Sequence, residues 1–573
     1  MEPRAAVASY DAANQTFRLH TGNQGMAIVR DQAADALRID KHALVVTSRD
    51  VGGGFGIRSG SYPEYPALLH AARLAGAPVR WTATRSEAFV SDAQARDSEM
   101  AGRLALDADG RFLALAVDTH VAMGACMHHT GYFIATANLS RCLPGPYRIP
   151  AVHSAVTCVF TNTVPTAPYR GAGRPEAAYI VESLVEAAAQ KLGLDSIEIR
   201  RRNLVGPQDM PHTTAVGMRY CSGNFPDLLD KALAAADWAG IERRKSQSRA
   251  NGRYRGAGIA MFVEISGGVP NERAKMRLDP GGIVRVRTTL GATGQGHETI
   301  FAMLADELLG IGIDQILVAQ GDSTGFEDGG GASASRSTQM AGLAIRATGL
   351  KLIDAARARA AERFGVASDT VHYAAGRLTV PGTNHALGLA DLVTDDRDAI
   401  DVEARIESEP TWPSGCHIAE VEVDAETGAV EVLSFAAVDD CGRVIHHEMA
   451  EGQVHGALAQ GFGQALMEHG HYDRDNGQLI AGSLMDYALP RARDLPKFNS
   501  ILAPSPATSN VLGVKGVGES GTVGPLPAIM SAIRDALAPL GVTEIEMPAT
   551  PARVWEAIEK ARAASSLPAQ RAQ

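Results

Sequence analysis

The dominant pattern along the chain is an apolar run that ends in a glycine-rich loop and gives way to helical spacing. Residues 43–48 form an apolar, β-branched run that ends in Val51-Gly-Gly-Gly-Phe-Gly-Ile57. Residues 62–75 then predict a helix and 79–84 a strand. The stretch 104–122 predicts a hairpin around Asp107-Ala-Asp-Gly110, because Asp and Gly tolerate the positive φ such turns need. Residues 176–192, rich in Ala, Glu and Leu, predict a helix. A second block follows the same order. Strands are expected at 259–264 and 284–290, with helices at 298–309 and 337–364. A hairpin turn at Asp424-Ala-Glu-Thr-Gly428 precedes helices at 451–467, 528–537 and 551–563. Between the blocks, Pro207, Pro211, Gly217 and Gly223 punctuate the chain, and a basic stretch (Arg243, Arg244, Lys245, Arg249) closes it. The expected organisation is α/β (α+β mixed), with domains at 1–204 and 256–565, a linking region at 205–255 and a tail at 566–573. No fixed period marks a repeat array.

Length and composition narrow the class. A chain of 573 residues exceeds one core and calls for two to four domains of roughly 100–200 residues. With 45% hydrophobic and 21% charged residues it belongs with globular chains. The formal net charge of −11 argues against nucleic acid or an anionic membrane as the main partner. The longest apolar candidate, 112–139, is broken by Asp118, His120, His128 and His129, so no membrane span of about 20 apolar residues is expected. Cysteines at 126, 142, 158, 221, 416 and 441 contain no C-x-x-C, which removes local zinc or cysteine-ligated iron–sulfur spacing. Scattered thiols and the lack of a basic-then-apolar leader read as a cytoplasmic protein. The chain runs from Met1-Glu-Pro-Arg straight into strand-like sequence, as though the earlier part of a domain were missing or carried on another chain.

Glycine changes the picture. The 59 glycines are about a tenth of the chain, against an average near 7%. Five loops stand out, at 52–56, 169–174, 291–299, 329–339 and 513–524, and three of them lead directly into a predicted helix. Ordinary tight turns would account for any one. Exposed N–H groups at helix starts bind anions, and loops from two blocks together suggest one large, oxygen-rich, anionic ligand held between them. A phosphate-binding G-x-x-x-x-G-K-[ST] is absent. A G-x-G-x-x-G does occur at 516–521, but Glu519 inside it would repel a pyrophosphate, and too little chain follows for a Rossmann unit. Glu519 is either a solvated loop residue or, in a dry anionic pocket, a general base. Gln24 and Gln295 are polar loop residues, or amides suited to a cofactor bearing oxo and dithiolene groups. Arg170 and Arg174 are surface arginines or partners of phosphate or a substrate oxygen. The histidines at 128–129 and 446–447 lack metal-helix spacing and read as surface or interface residues.

Taken together, Val51-Gly-Gly-Gly-Phe-Gly56, Tyr169-Arg-Gly-Ala-Gly-Arg174, Gly294-Gln-Gly-His-Glu-Thr299, Gly452-Gln-Val-His-Gly-Ala-Leu-Ala-Gln-Gly461 and Lys515-Gly-Val-Gly-Glu-Ser520 resemble the molybdenum-binding large subunit of the xanthine dehydrogenase and aerobic carbon monoxide dehydrogenase family. The resemblance implies two elongated molybdopterin-binding domains of the xanthine oxidase type with the cofactor between them. It implies Glu519 as catalytic base, Gln24 beside the oxo group and Arg170 as the active-site arginine. Gly54, Phe55 and Gly56 match the loop beside the metal. Gly294, Gln295, Gly296, His297, Ser333, Ser335, Gln339, Ala457, Lys515, Gly516, Val517 and Gly518 match the loops around the pterin and its dinucleotide tail. Molybdenum is held by the pterin dithiolene, with no side-chain ligand, and the cytosine dinucleotide form of molybdopterin is expected.

The implied reaction is water-derived hydroxylation of a small molecule, with Glu519 taking a proton at the metal centre. Electrons would leave through a 2Fe-2S small subunit and an FAD-binding medium subunit, in a dimer of heterotrimers. Three departures bear on function. Gly171 stands where carbon monoxide oxidisers carry a copper-binding cysteine. Ala172 replaces the aromatic residue of xanthine-type enzymes, which favours an aldehyde or another N-heterocycle. The family's preceding α/β domain is missing, which leaves open an inactive or truncated cofactor-binding subunit, or a front domain supplied by a separate chain. A nicotinamide dehydrogenase is the weakest alternative.

Overall fold

A computed structural model describes residues 2–566. Ala5–Asp11 (β1) and Thr16–Thr21 (β2) pair antiparallel, Leu44–Thr47 (β3) runs parallel to β2, and Val79–Thr82 (β4) closes the far edge in the order β3-β2-β1-β4. Met26–Leu37 (α1) and Glu64–Ala75 (α2) bury Val29, Ala33, Leu69 and Ala72 against Ala8, Leu19 and Val46. The predicted hairpin forms from Ser98–Leu106 (β5) and Phe112–Ala122 (β6). The Asp107 carboxylate accepts the N–H groups of Asp109 and Arg111 at its turn. Ala151–Val159 (β7) adds in parallel to β6. Arg174–Leu192 (α3) is the predicted alanine-rich helix.

Residues 205–255 are not extended. They carry Phe225–Ala235 (α4) and Ile241–Ala250 (α5). Phe225, Leu228, Leu229 and Ala232 have helical spacing and enter the same core as Val185 and Ile199. The prolines and glycines upstream mask that stripe, and Asn224 caps it by accepting the Asp227 N–H.

The second block holds two four-stranded sheets. Tyr254–Val263 (β8), Ser414–Val423 (β13), Val430–Asp440 (β14) and Phe498–Leu502 (β15) form the first, in the order β8-β13-β14-β15. Asn271–Leu278 (β9), Val284–Thr288 (β10), Ile316–Ala319 (β11) and Ile400–Glu407 (β12) form the second, in the order β11-β10-β9-β12. Strand β8 is buried on both faces, as its continuous apolar run requires. Ile259, Met261 and Val263 join the core beneath α3 and α4. Ala260 joins the opposite core, under His447–Leu466 (α8) and Pro525–Leu537 (α9). Gly256 and Gly258 let α9 lie directly on β8, since a Cβ at either would collide with the carbonyl of Ala532 or Ala528. His297–Leu309 (α6) and Ser337–Phe364 (α7) cover the second sheet. Pro551–Ser566 (α10) closes the described chain. The expected tail lies, from 567 onward, outside the described residues. Among the described residues no helix is long and apolar enough to cross a membrane.

The two blocks are stitched at a seam of backbone contacts. Val46 N–H donates to Ser323 Oγ at 2.9 Å, Ser323 N–H donates to Val46 O at 3.0 Å, and Ser48 N–H donates to Gly321 O at 2.8 Å.

Candidate active site

A cavity of about 970 Å³ opens along this seam, at the top of the range of small-molecule sites. Its wall is built from all five glycine loops. Glu519, Gln24 and Arg170 line it, as do Gly54, Phe55, Gly56, Gly294, Gln295, His297, Ser333, Ser335, Lys515, Val517 and Gly518. Residues far apart in sequence therefore meet in one chamber. Four lining residues other than glycine, Phe55, Ala172, Ala334 and Ser335, have positive φ (53°, 44°, 50° and 52°). Such conformations cost on the order of 1–3 kcal/mol each and cluster where a site over-determines the backbone.

Glu519 is held from two sides. Its Oε1 accepts the Gly171 N–H at 3.1 Å and lies 3.5 Å from Arg174 Nη1. Its Oε2 accepts the Ser335 hydroxyl at 3.1 Å. Its side chain keeps 16% exposure. Arg170 clamps the Glu519 loop: Nε donates to Gly518 O at 2.7 Å and Nη2 to Gln453 O, on α8, at 3.0 Å. Its guanidinium carbon lies 5.7 Å from the Phe55 ring centre. Gln24 joins the blocks: Nε2 donates to Ala332 O at 2.7 Å, and Ala332 N–H donates to Gln24 O at 2.7 Å. Gln24 Oε1 accepts the Gly56 N–H at 2.8 Å, which fixes the loop at 54–56.

Helices α6 and α7 start at the wall, with His297, Ser337 and Thr338 lining it, and neither has a side-chain cap. Their first-turn N–H groups therefore have no capping side chain and suit an anion. His297 is buried and stacks on Phe301 at 5.0 Å, and its Nδ1 has no partner among the described residues. Burial pushes its imidazole down to about 4, so it is neutral near pH 7.

Four residues expected at the cofactor stand behind the wall. Gln339 is buried and bonds Glu409 O at 2.8 Å and the Thr411 hydroxyl at 3.0 Å. Ala457 is buried on α8, and Gly296 is the N-cap of α6. Gly516 gives the Glu519 loop room to pass Ser266 and Ser335. Lys515 reaches the wall, but its ammonium is committed to Asp440 at 2.6 Å and Ser222 O at 3.3 Å. His129 and His446, read from sequence as surface or interface residues, line the cavity. Sequence reasoning missed Glu264, a fully buried carboxylate beside Ser335 and Arg174. Its signal was an acid embedded in the apolar run 259–265, where a charge is costly unless it is paired or neutralised. Among the described residues no three His, Cys, Asp or Glu side chains group as metal ligands.

Comparison with known proteins agrees with this architecture. Two molybdopterin cofactor-binding domain families match the chain, one at residues 1–204 and the other at 231–496. The carbon monoxide dehydrogenase large chain of Hydrogenophaga pseudoflava is 33% identical over 589 residues, covering 98% of this chain and 73% of that one. Subunit gamma of the 6-hydroxypseudooxynicotine dehydrogenase complex of Paenarthrobacter nicotinovorans is 32% identical, covering 97% and 72%. The crystal structure of quinoline 2-oxidoreductase from Pseudomonas putida 86 aligns with a TM-score of 0.90 at 32% identity, over 98% of this chain and 74% of that one.

Proposed function

The chain belongs to the large, molybdenum-binding subunit family of xanthine dehydrogenase and carbon monoxide dehydrogenase, and from that premise we propose that it is the catalytic subunit of a molybdenum hydroxylase acting on an N-heterocycle or an aldehyde. The observation that carries the reading is the meeting of Glu519, Gln24, Phe55 and Gln295 in one cavity. The residues present fit a molybdopterin. Two uncapped helix starts offer polar contacts, and Gln24 Nε2 uses one of its two hydrogens on Ala332. Gln24, 54–56, Gln295, His297, 333–335 and the backbone of 515–518 would hold it. The cytosine dinucleotide form is part of the proposal, as is the division into domains at 1–204 and 256–565.

When bound, the molybdenum centre supplies oxygen transfer and accepts two electrons. Glu519 takes the proton released there onto a carboxylate that Gly171 and Ser335 hold in place. Arg170 fixes the loop that carries Glu519, so its role is positional. Phe55 and Ala172 border the substrate end, and Ala172 leaves room for a ring. Gly171 has no side chain to bind copper, which favours hydroxylation over carbon monoxide oxidation. Electrons pass to iron–sulfur and FAD-binding partner subunits, in a cytoplasmic dimer of heterotrimers.

The test is co-expression with those partners, followed by molybdenum and pterin analysis and by turnover of aldehydes and N-heterocycles. Cofactor-loaded protein with turnover is expected. Glu519→Gln is expected to keep the cofactor and lose roughly 10²–10⁴-fold in turnover. Protein without molybdenum, or normal turnover in the variant, overturns the reading.

A further inference from the structure

We propose that Glu264 is a positioning residue for Glu519: a neutral carboxylic acid that donates to the Ser335 hydroxyl, which in turn donates to the Glu519 carboxylate. The inference deepens the reading of Glu519 as the base and rests on it.

Glu264 directly follows β8, and its side chain has no solvent exposure. Ser335 Oγ lies 3.4 Å from Glu264 Oε1 and 3.1 Å from Glu519 Oε2. A hydroxyl carries one proton, so it can serve only one of two carboxylates. If both acids were ionised, one oxygen would face a lone pair on Oγ inside a buried site, which is strongly unfavourable. One proton on Glu264 removes the conflict and gives the chain a direction. The shorter of the two contacts lies on the Glu519 side, where the hydroxyl proton is assigned.

The neighbouring charges do not reverse this assignment. Arg174, from α3, approaches Glu264 Oε1 only at 3.6 Å. Its Nη2 donates to Ile265 O at 2.6 Å and its Nη1 to Gly171 O at 2.9 Å. Arg170 is held by Gly518 and Gln453, and the buried Cys142 is a further titratable neighbour. Glu264 Oε2 has no partner among the described residues. Burial, against the opposing pull of Arg174, pushes Glu264 up to about 8. With the proton on Glu264, the Ser335 hydroxyl is left to serve Glu519.

The test uses the partner-assembled protein, comparing wild type with Glu264→Gln and Ser335→Ala. At neutral pH the infrared difference between wild type and Glu264→Gln should contain the C=O band of a neutral carboxyl group. A band of ionised carboxylate in its place overturns the proposal. Melting gives a second readout that needs no turnover. The folded protein keeps a proton that the unfolded chain loses, so Glu264 weakens the fold as pH rises from its ordinary 4.5 towards about 8, and no further above that. The melting advantage of Glu264→Gln over wild type should widen across that window and then level off; a constant gap overturns the proposal. The glutamine keeps a donor for Ser335, so kcat should stay within about threefold of wild type while the alkaline inflection of kcat/KM disappears. Ser335→Ala breaks the chain and should lower kcat while the neutral-carboxyl band persists. Loss of roughly 100-fold or more in Glu264→Gln, or an unchanged pH profile, shows that a charge or mere packing is needed instead. The infrared and melting results stand whether or not Glu519 proves to be the base, so failure of either reading is seen separately.

Discussion

At the scale of the residue, the site depends on backbone positions as much as on side chains. Gly171 illustrates this. Its φ is +97°, its N–H holds Glu519, and a Cβ there would meet Pro175 and lie 2.9 Å from Arg96 Nη2. Gly171→Cys alone is therefore expected not to confer carbon monoxide oxidation, even with copper supplied. It is also expected to slow the native reaction, because the strained loop moves the N–H away from Glu519. Dye reduction under carbon monoxide checks the first point, and activity gained would show the pocket to be more adaptable than its contacts indicate. Arg170 was legible in sequence as an anion or substrate partner; the structure gives its Nε and Nη2 to carbonyls. Gln339 and the Lys515 ammonium face partners other than the cavity for a similar reason. Motif position carries a residue to the neighbourhood of a site, while rotamer and packing decide which way it points. Glu264 belongs to no motif, and only the incongruity of an acid in an apolar run marks it.

At the scale of the element, periodicity picked out several half-buried helices and hairpins but passed over the alternating strands β9 and β12 and helix α1. The 28-residue helix α7 has the bounds expected from sequence, and the hairpins at Asp107 and Asp424 turn as their residues demand. Helix α4 was missed because flanking prolines and glycines outweighed a four-residue apolar stripe. Strand β8 shows how glycine can specify packing. Gly258→Ala would set a methyl group against the Ala528 carbonyl and lift α9, so a loss of about 1–3 kcal/mol is expected. Chemical denaturation should show a lower midpoint with an unchanged slope, since the surface exposed on unfolding stays the same. An unaltered midpoint would mean that α9 shifts without cost.

At the scale of the whole molecule, the cavity is a property of the closed chain. No single block contains Gln24, Gln295 and Glu519, so a ligand there bridges both and binds only the native state. Stripping the cofactor is expected to lower the melting temperature, because a ligand held at 100 times its Kd contributes about 2.7 kcal/mol. Calorimetry of loaded and stripped protein measures this, and coincident transitions would show that the ligand does not bind the closed native state in preference to the unfolded chain.

The reciprocal bonding of Gln24 and Ala332 has a consequence for biogenesis. Those two residues are 308 positions apart, so the chamber does not exist on a nascent chain until its second block has been made. Loading is thereby timed by translation and closure: the prosthetic group enters last, or the stitch must be eased to admit it.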